Sequence, residues 1–146
     1  MKFKYTLIFL GSLLIYSAQS SAATPRSSDR KYYTEQKTMN DYEATMRSPR
    51  PQIIKFYTDT CGACKSMEPV FNEVARTENT NVDFSAIKID DKIFEPLIKK
   101  HNLIAVPTTI FVRNGKEVKQ DKGSMTEDDL RNQVKIFAES KGAPAA

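Results

Sequence analysis

The chain's only two cysteines, Cys61 and Cys64, lie together in the stretch "DTCGACKS" from Asp59 to Ser66. Two thiols at this spacing can be a structural clasp, part of a metal site, or a redox pair. If Cys61 opens a helix and Cys64 falls in its first turn, their α-carbons lie roughly 5 Å apart, within disulfide reach. As a clasp the pair does little, because so short a loop is worth only roughly 2 kcal/mol on chain-entropy grounds. A closed zinc site needs four ligands. The chain has no second cysteine pair, and its single histidine, His101, is distant in sequence and reads as a surface residue at a helix end. Two thiolates alone suit copper(I). The redox reading uses more of the surroundings. A helix N-terminus favours the thiolate of the first cysteine, the second can displace a captured partner, and Gly62 and Ala63 leave room for another chain to approach.

These thiols need a scaffold, and the hydrophobic pattern supplies one. Gln52 to Thr58, "QIIKFYT", reads as a buried strand running into the cysteines. A helix over about 62–77 follows, with Cys64, Met67, Val70, Phe71 and Val74 on one stripe and Pro69 predicting a kink. Val82 to Ile89 reads as the next strand, and Asp90 and Asp91 are expected to cap one helix running through about His101. Residues 108–120 contain Asn114-Gly115 between two strand-like runs, a strong hairpin signal because both turn positions need positive φ. Thr126 caps a last helix, with Glu127, Asp128 and Asp129 in its first turn and Leu130, Val134 and Phe137 inward. Upstream, "YYTEQ" suggests a short edge strand, and Thr38 to Met46 a short helix ended by the prolines of "SPRP". This order asks for an α/β fold with a central mixed β-sheet flanked by helices on both faces. In such a fold the cysteines sit beyond the carboxyl end of a strand, where ligands and reactive groups gather.

Residues 1–23 read as a signal peptide: Lys2 and Lys4, an apolar run from Thr6 to Tyr16, then the small residues "SAQSSAA". The apolar run is shorter than the roughly 20 residues that cross a bilayer, so a retained membrane anchor is the lesser reading. Export to a periplasm or beyond the cell is the expectation, and there disulfides persist. Without residues 1–22, twenty basic residues face eighteen acidic ones, a net of +2. They are interspersed, which argues against a nucleic-acid partner. Residues 24–37 read as a leader with the possible edge strand, 38–140 as one domain, and 141–146 as a disordered tail.

Over about residues 50–140 the chain resembles the thioredoxin family. "IIKFYTDTCGACKSMEPVF" is similar to that family's strand, active-site turn and kinked helix, and "AVPTTIFVRNGK" to its cis-proline loop and hairpin. The resemblance implies a thioredoxin-like fold and a protein-disulfide oxidoreductase. Cys61 would be the exposed nucleophile, Cys64 the resolving thiol, and Pro107 the cis proline facing them. Val106 would offer backbone hydrogen bonds to an extended substrate. Lys65, Pro69, Gly115 and Gly123 match further family positions. Thr60, Gly62, Ala63, Val106 and Pro107 form the expected substrate-binding surface. No cofactor or metal is implied. Partners would be protein disulfides or dithiols and a second redox protein, with a membrane electron relay among the candidates, and the chain would be a monomer.

Three residues depart from the family pattern. Thr60 stands where tryptophan is usual, Ala63 where proline is usual between the cysteines, and Lys55 where a buried acid relays a proton to the second cysteine. Lys55 either threads its stem past the core and keeps its charge in water, or stabilises a thiolate and makes the disulfide more oxidising. Two rival functions remain at this level. One is disulfide isomerisation, which usually needs a dimer. The other is a non-catalytic module that binds a partner or copper(I).

Overall fold

The computed structural model describes residues 30–140. The expected signal peptide, residues 24–29 of the leader and the tail lie outside them. In chain order the elements are β1 (Thr34–Gln36), α1 (Met39–Arg47), β2 (Gln52–Tyr57), α2 (Gly62–Glu78), β3 (Asp83–Lys88), a 3-10 turn at Lys92–Phe94, α3 (Glu95–Lys100), β4 (Thr108–Arg113), β5 (Lys116–Lys122) and α4 (Glu127–Glu139). The strands form one sheet in the order β1-β3-β2-β4-β5. β3 runs parallel to both β1 and β2, while β4 is antiparallel to β2 and β5. The mixed sheet expected from the element order is therefore present.

β2 occupies the centre, and its alternation divides the core. Ile53 packs on the side of α2 and α4 with Met67, Phe71, Leu130 and Val134. Ile54 and Phe56 face the opposite way, toward Tyr42 of α1 and Leu97 of α3. Covering both faces buries nearly every residue of the strand, and each fully buried large apolar side chain contributes about 1.5–3 kcal/mol. The outer strand β5 is rich in lysine, with Lys116, Lys119 and Lys122, which discourages edge-to-edge pairing with another sheet.

The helices begin where their capping residues stand. Thr38 and Asp41 form a reciprocal capping box at α1, with Asp41 N–H donating to Thr38 Oγ1 at 3.1 Å and Thr38 N–H to Asp41 Oδ2 at 2.8 Å. Thr126 accepts from Asp129 N–H at the start of α4. Pro69 lies inside α2 and leaves the Lys65 carbonyl without its usual helical donor.

Two expectations are corrected. The single helix expected from Asp90 to His101 is split: Asp91 caps the 3-10 turn, and α3 starts only at Glu95. Pro96 is the reason, since it has no N–H to return to the preceding turn but is tolerated at a helix start. His101 does end this helix, yet it is only 5% exposed and not a surface residue. Its Nδ1–H donates to Glu117 at 2.5 Å, Nε2 shares a hydrogen with the Tyr42 hydroxyl at 2.8 Å, and its carbonyl accepts from Gln120. Those partners satisfy a ring that burial would otherwise penalise.

The hairpin turn makes a direct demand on sequence. Asn114 and Gly115 both have positive φ, 52° and 73°, and a β-carbon on Gly115 would lie 2.8 Å from the Met46 carbonyl oxygen at the end of α1. Gly123 also has positive φ, but a β-carbon there meets nothing within 4 Å. Gly115→Ala is therefore expected to lower unfolding free energy by about 2–3 kcal/mol, and Gly123→Ala by about 1 kcal/mol. Urea denaturation of both variants checks this, and equal losses would contradict the close approach of turn and helix.

Candidate functional site

Cys61 and Cys64 are joined in a disulfide with α-carbons 5.2 Å apart, matching the separation expected for a helix start. Cys61 is the N-cap of α2, and its sulfur accepts the Cys64 N–H at 3.0 Å, taking the place of a capping oxygen. The two sulfurs differ in access: Cys61 is half-buried, whereas Cys64 is only 3% exposed. Gly62 and Ala63 between them are exposed, and a β-carbon on Gly62 would meet open space. Thr60, in the turn that leads into the helix, is also exposed.

A second loop approaches the same sulfur. The Val106–Pro107 peptide is cis, and the Val106 carbonyl oxygen lies 3.6 Å from Cys61 Sγ. Pro107 is buried and Val106 half-buried, while neighbouring Ile104 is 73% exposed. Residues after β5 tie the two loops together. Gly123 N–H donates to the Pro107 carbonyl at 2.8 Å, and the Ser124 hydroxyl donates to the Ala63 carbonyl at 3.1 Å. The turn before Cys61 is held as well, by Asp59 N–H donating to Asp90 at 2.7 Å and by Lys88 pairing with Asp59 at 2.9 Å. The structure thus brings Thr60, Cys61, Gly62, Ala63, Cys64, Val106 and Pro107 to one end of the sheet.

Lys55 lies below this surface. It is 0% exposed, so its ammonium does not reach water along the path one reading allowed. On β2 it shares the α2 side of the sheet with Ile53, and its Nζ donates to Glu68 Oε2 at 2.5 Å. Aromatic rings complete the enclosure: Nζ is 4.6 Å from the centroid of Phe71, 5.2 Å from Tyr33 and 5.5 Å from Tyr57. Such faces attract a desolvated cation by about 2 kcal/mol. The Tyr33 hydroxyl donates to the other Glu68 oxygen, and the Tyr57 hydroxyl to Glu35, which also pairs with Lys31 at 2.9 Å.

Burial pushes the Lys55 ammonium below its ordinary pKa, and the bond to Glu68 opposes that shift. For Glu68, burial works to raise the carboxyl, but the hydrogen bonds from Lys55 and Tyr33 outweigh it and hold it below 4.5. Burial and the hydrogen bonds to carboxylates raise both Tyr33 and Tyr57. Glu68, Tyr33 and Ser124 are site residues that sequence reasoning missed. Only Glu68 carried a signal, since it follows Cys64 by four residues and so shares its helical face.

Fold and dithiol together define a disulfide-exchange protein. Comparison with known proteins places it more closely. Residues 33–136 match the Thioredoxin family model. Thioredoxin of Borreliella burgdorferi is 31% identical over 98 residues, covering 67% of this chain and 82% of that relative. Thioredoxin-1 of Caenorhabditis elegans is 33% identical over 97 residues, covering 65% and 81%. Against Thioredoxin Y1, chloroplastic, of Arabidopsis thaliana the identity is 26% over 116 residues, and the chain spans 66% of that relative. Among solved structures, thioredoxin of Malassezia sympodialis superposes with a TM-score of 0.67 at 20% identity, covering 75% of this chain and 93% of its own. The oxidised mitochondrial thioredoxin 3 of Saccharomyces cerevisiae gives 0.63 at 20% identity, covering 71% and 94%. The chain belongs to the thioredoxin family of thiol–disulfide oxidoreductases, with Cys61 and Cys64 as its Cys-X-X-Cys pair.

The Lys55–Glu68 pair is unequal, because Lys55 is fully buried and the Glu68 side chain is 38% exposed. Removing the carboxylate strands a buried cation, whereas removing the lysine leaves an acid that water can solvate. Glu68→Ala is expected to cost about 3 kcal/mol of stability, and Lys55→Met clearly less, since it leaves no buried charge unpaired. The native carboxyl titrates below its unfolded value, so its stabilisation is present above pH 4.5 and lost as pH falls through the lowered value. Denaturant unfolding of both variants, repeated on wild type from pH 7 to pH 3, reads these effects. Equal losses in the two variants would contradict the asymmetry.

Proposed function

We propose that this protein is an exported thiol–disulfide exchange enzyme in which Cys61 reacts with protein disulfides or dithiols and Cys64 resolves the resulting mixed disulfide. The unequal access of the two sulfurs carries this reading. A partner chain can reach Cys61, while Cys64 waits behind it at bonding distance. The helix N-terminus offers N–H groups and partial positive charge to Cys61, which favours its thiolate and its attack on an incoming disulfide.

Around the sulfur, Thr60, Gly62 and Ala63 leave an open approach, and the Val106 backbone before Pro107 can bond an extended segment of the partner. Ile104, exposed beside that loop, adds apolar surface for such a segment. Lys55, enclosed beneath the site, favours thiolate over thiol by its charge, and the carboxylate of its partner Glu68 opposes that effect. Among the described residues, no three His, Cys, Asp or Glu side chains group as a metal site, and no helix is long and apolar enough to cross a membrane. The proposal of export rests on the basic, apolar and small-residue order of residues 1–23. A periplasmic or secreted location would require a second dithiol protein, or a membrane electron relay, to restore the pair after each turnover.

Trapping tests the exchange reading. Cys64→Ser expressed in the native host is expected to accumulate disulfide-linked partners through Cys61, seen as thiol-sensitive bands on non-reducing gels. A variant that gathers no covalent partner would contradict the enzymatic reading and favour a binding module.

A further inference from the structure

Between the end of β2 and the first turns of α2 lies a cleft of about 400 Å³. Cys64 forms part of its wall. Before this cysteine can displace a partner held on Cys61, its S–H must lose a proton, because the thiolate is the attacking species. A buried thiol needs an acceptor within reach, and the ionisable side chains around the cleft are few.

Lys31 and Lys65 are ammonium donors without a lone pair to offer. Tyr57 has its hydroxyl proton committed to Glu35, and burial with that bond pushes its pKa up. Asp59 is exposed, paired with Lys88, and lies on the turn before Cys61 and not on the helix. Glu68 is different. It lines the same cleft one helical turn after Cys64, on the same face. Both its oxygens are fixed, one by Lys55 and one by Tyr33, and each keeps a further lone pair.

We propose that Glu68 accepts the Cys64 proton across this cleft, with Lys55 and Tyr33 as positioning residues that aim the carboxylate. The proposal rests on the exchange reading above. In the step, the Cys64 S–H proton passes to the Glu68 carboxylate and the Cys64 thiolate attacks Cys61 Sγ. The Cys61–Cys64 bond forms, the bond from Cys61 to the partner sulfur breaks, and the electron pair of the broken bond leaves on the partner thiolate. That thiolate takes a proton from solvent, and Glu68 returns its own to water at the open side of the cleft. In this step the partner sulfur is reduced and Cys64 is oxidised, while Cys61 stays at the disulfide level.

The surrounding charges set the direction of pH dependence. Burial works to raise the Glu68 carboxyl, but Lys55 from β2, Tyr33 beside β1 and Lys31 outweigh it and hold Glu68 below its ordinary value. The carboxylate is therefore ionised at neutral pH and able to accept a proton. Resolution should therefore be full above pH 4.5 and fall as pH drops through the lowered value. Removing Lys55 takes away the main lowering partner and moves that limb to higher pH.

Reduced protein mixed with an aryl disulfide that releases a coloured thiolate separates the steps in stopped flow. The first release reports Cys61 attack, and the second reports resolution by Cys64. Glu68→Gln is expected to slow the second release about 100-fold at pH 7, with the first release still observed. Should that variant fail to fold, the double variant K55M/E68Q, which strands neither charge, is expected to show the same slow second release. Lys55→Met alone should move the acid limb of resolution to higher pH. Second releases at the wild-type rate in the Glu68 variants, or an unmoved limb in Lys55→Met, would overturn the proposal. Absence of the first release in wild type would overturn the exchange reading itself.

Discussion

The hydrogen bond from the Cys64 N–H to Cys61 Sγ is the contact on which the site depends. A helix begins with N–H groups that have no partner within the helix. Oxygen side chains normally meet that need, as Thr38 and Thr126 do at α1 and α4. At α2 the acceptor is sulfur, so the requirement of the helix and the location of the reactive pair become one feature. The rest of the fold delivers that helix start to the right place. β2 lies at the centre of the sheet, α2 carries the chain back to the parallel strand β3, and the crossover leaves the first turn of α2 above the carboxyl end of β2.

Beneath that turn the protein places a cation where an apolar side chain would pack more simply. Lys55 is tolerated because each cost of its burial has a named offset: one carboxylate oxygen of Glu68 and the faces of Phe71, Tyr33 and Tyr57. The pair also ties β2 to α2 and to the segment before β1, which contributes Lys31 and Tyr33. A short stretch that reads as a leader and a minor edge strand is thereby part of the charge environment of the cysteines.

Features that depend on near neighbours along the chain are legible in the sequence itself. The Cys-X-X-Cys spacing, the Asn114-Gly115 turn, the Thr126 cap and the β2 run each follow from local chemistry. Pro96 also signals the break between the 3-10 turn and α3, but two capping aspartates ahead of an apolar pattern suggest one continuous helix. The features that sequence does not reveal depend on distant partners. His101, after two lysines, looks exposed until Tyr42 from α1 and Glu117 from β5 are brought to its ring. Lys55 is visibly anomalous in a buried strand, yet its partner lies in a helix whose rotation about its axis no local pattern sets. Ser124 reaches Ala63 only because the hairpin returns the chain to the active-site turn.

The central claim is that the start of α2 makes Cys61 a reachable thiolate at neutral pH. Alkylation of the reduced protein by iodoacetamide as a function of pH measures this directly, with Cys61 identified by peptide mapping. The account predicts fast labelling of Cys61 with its midpoint below the about 8.5 of a free thiol, and slow labelling of Cys64. A Cys61 midpoint at or above that value, with a rate no greater than in the denatured chain, would contradict it.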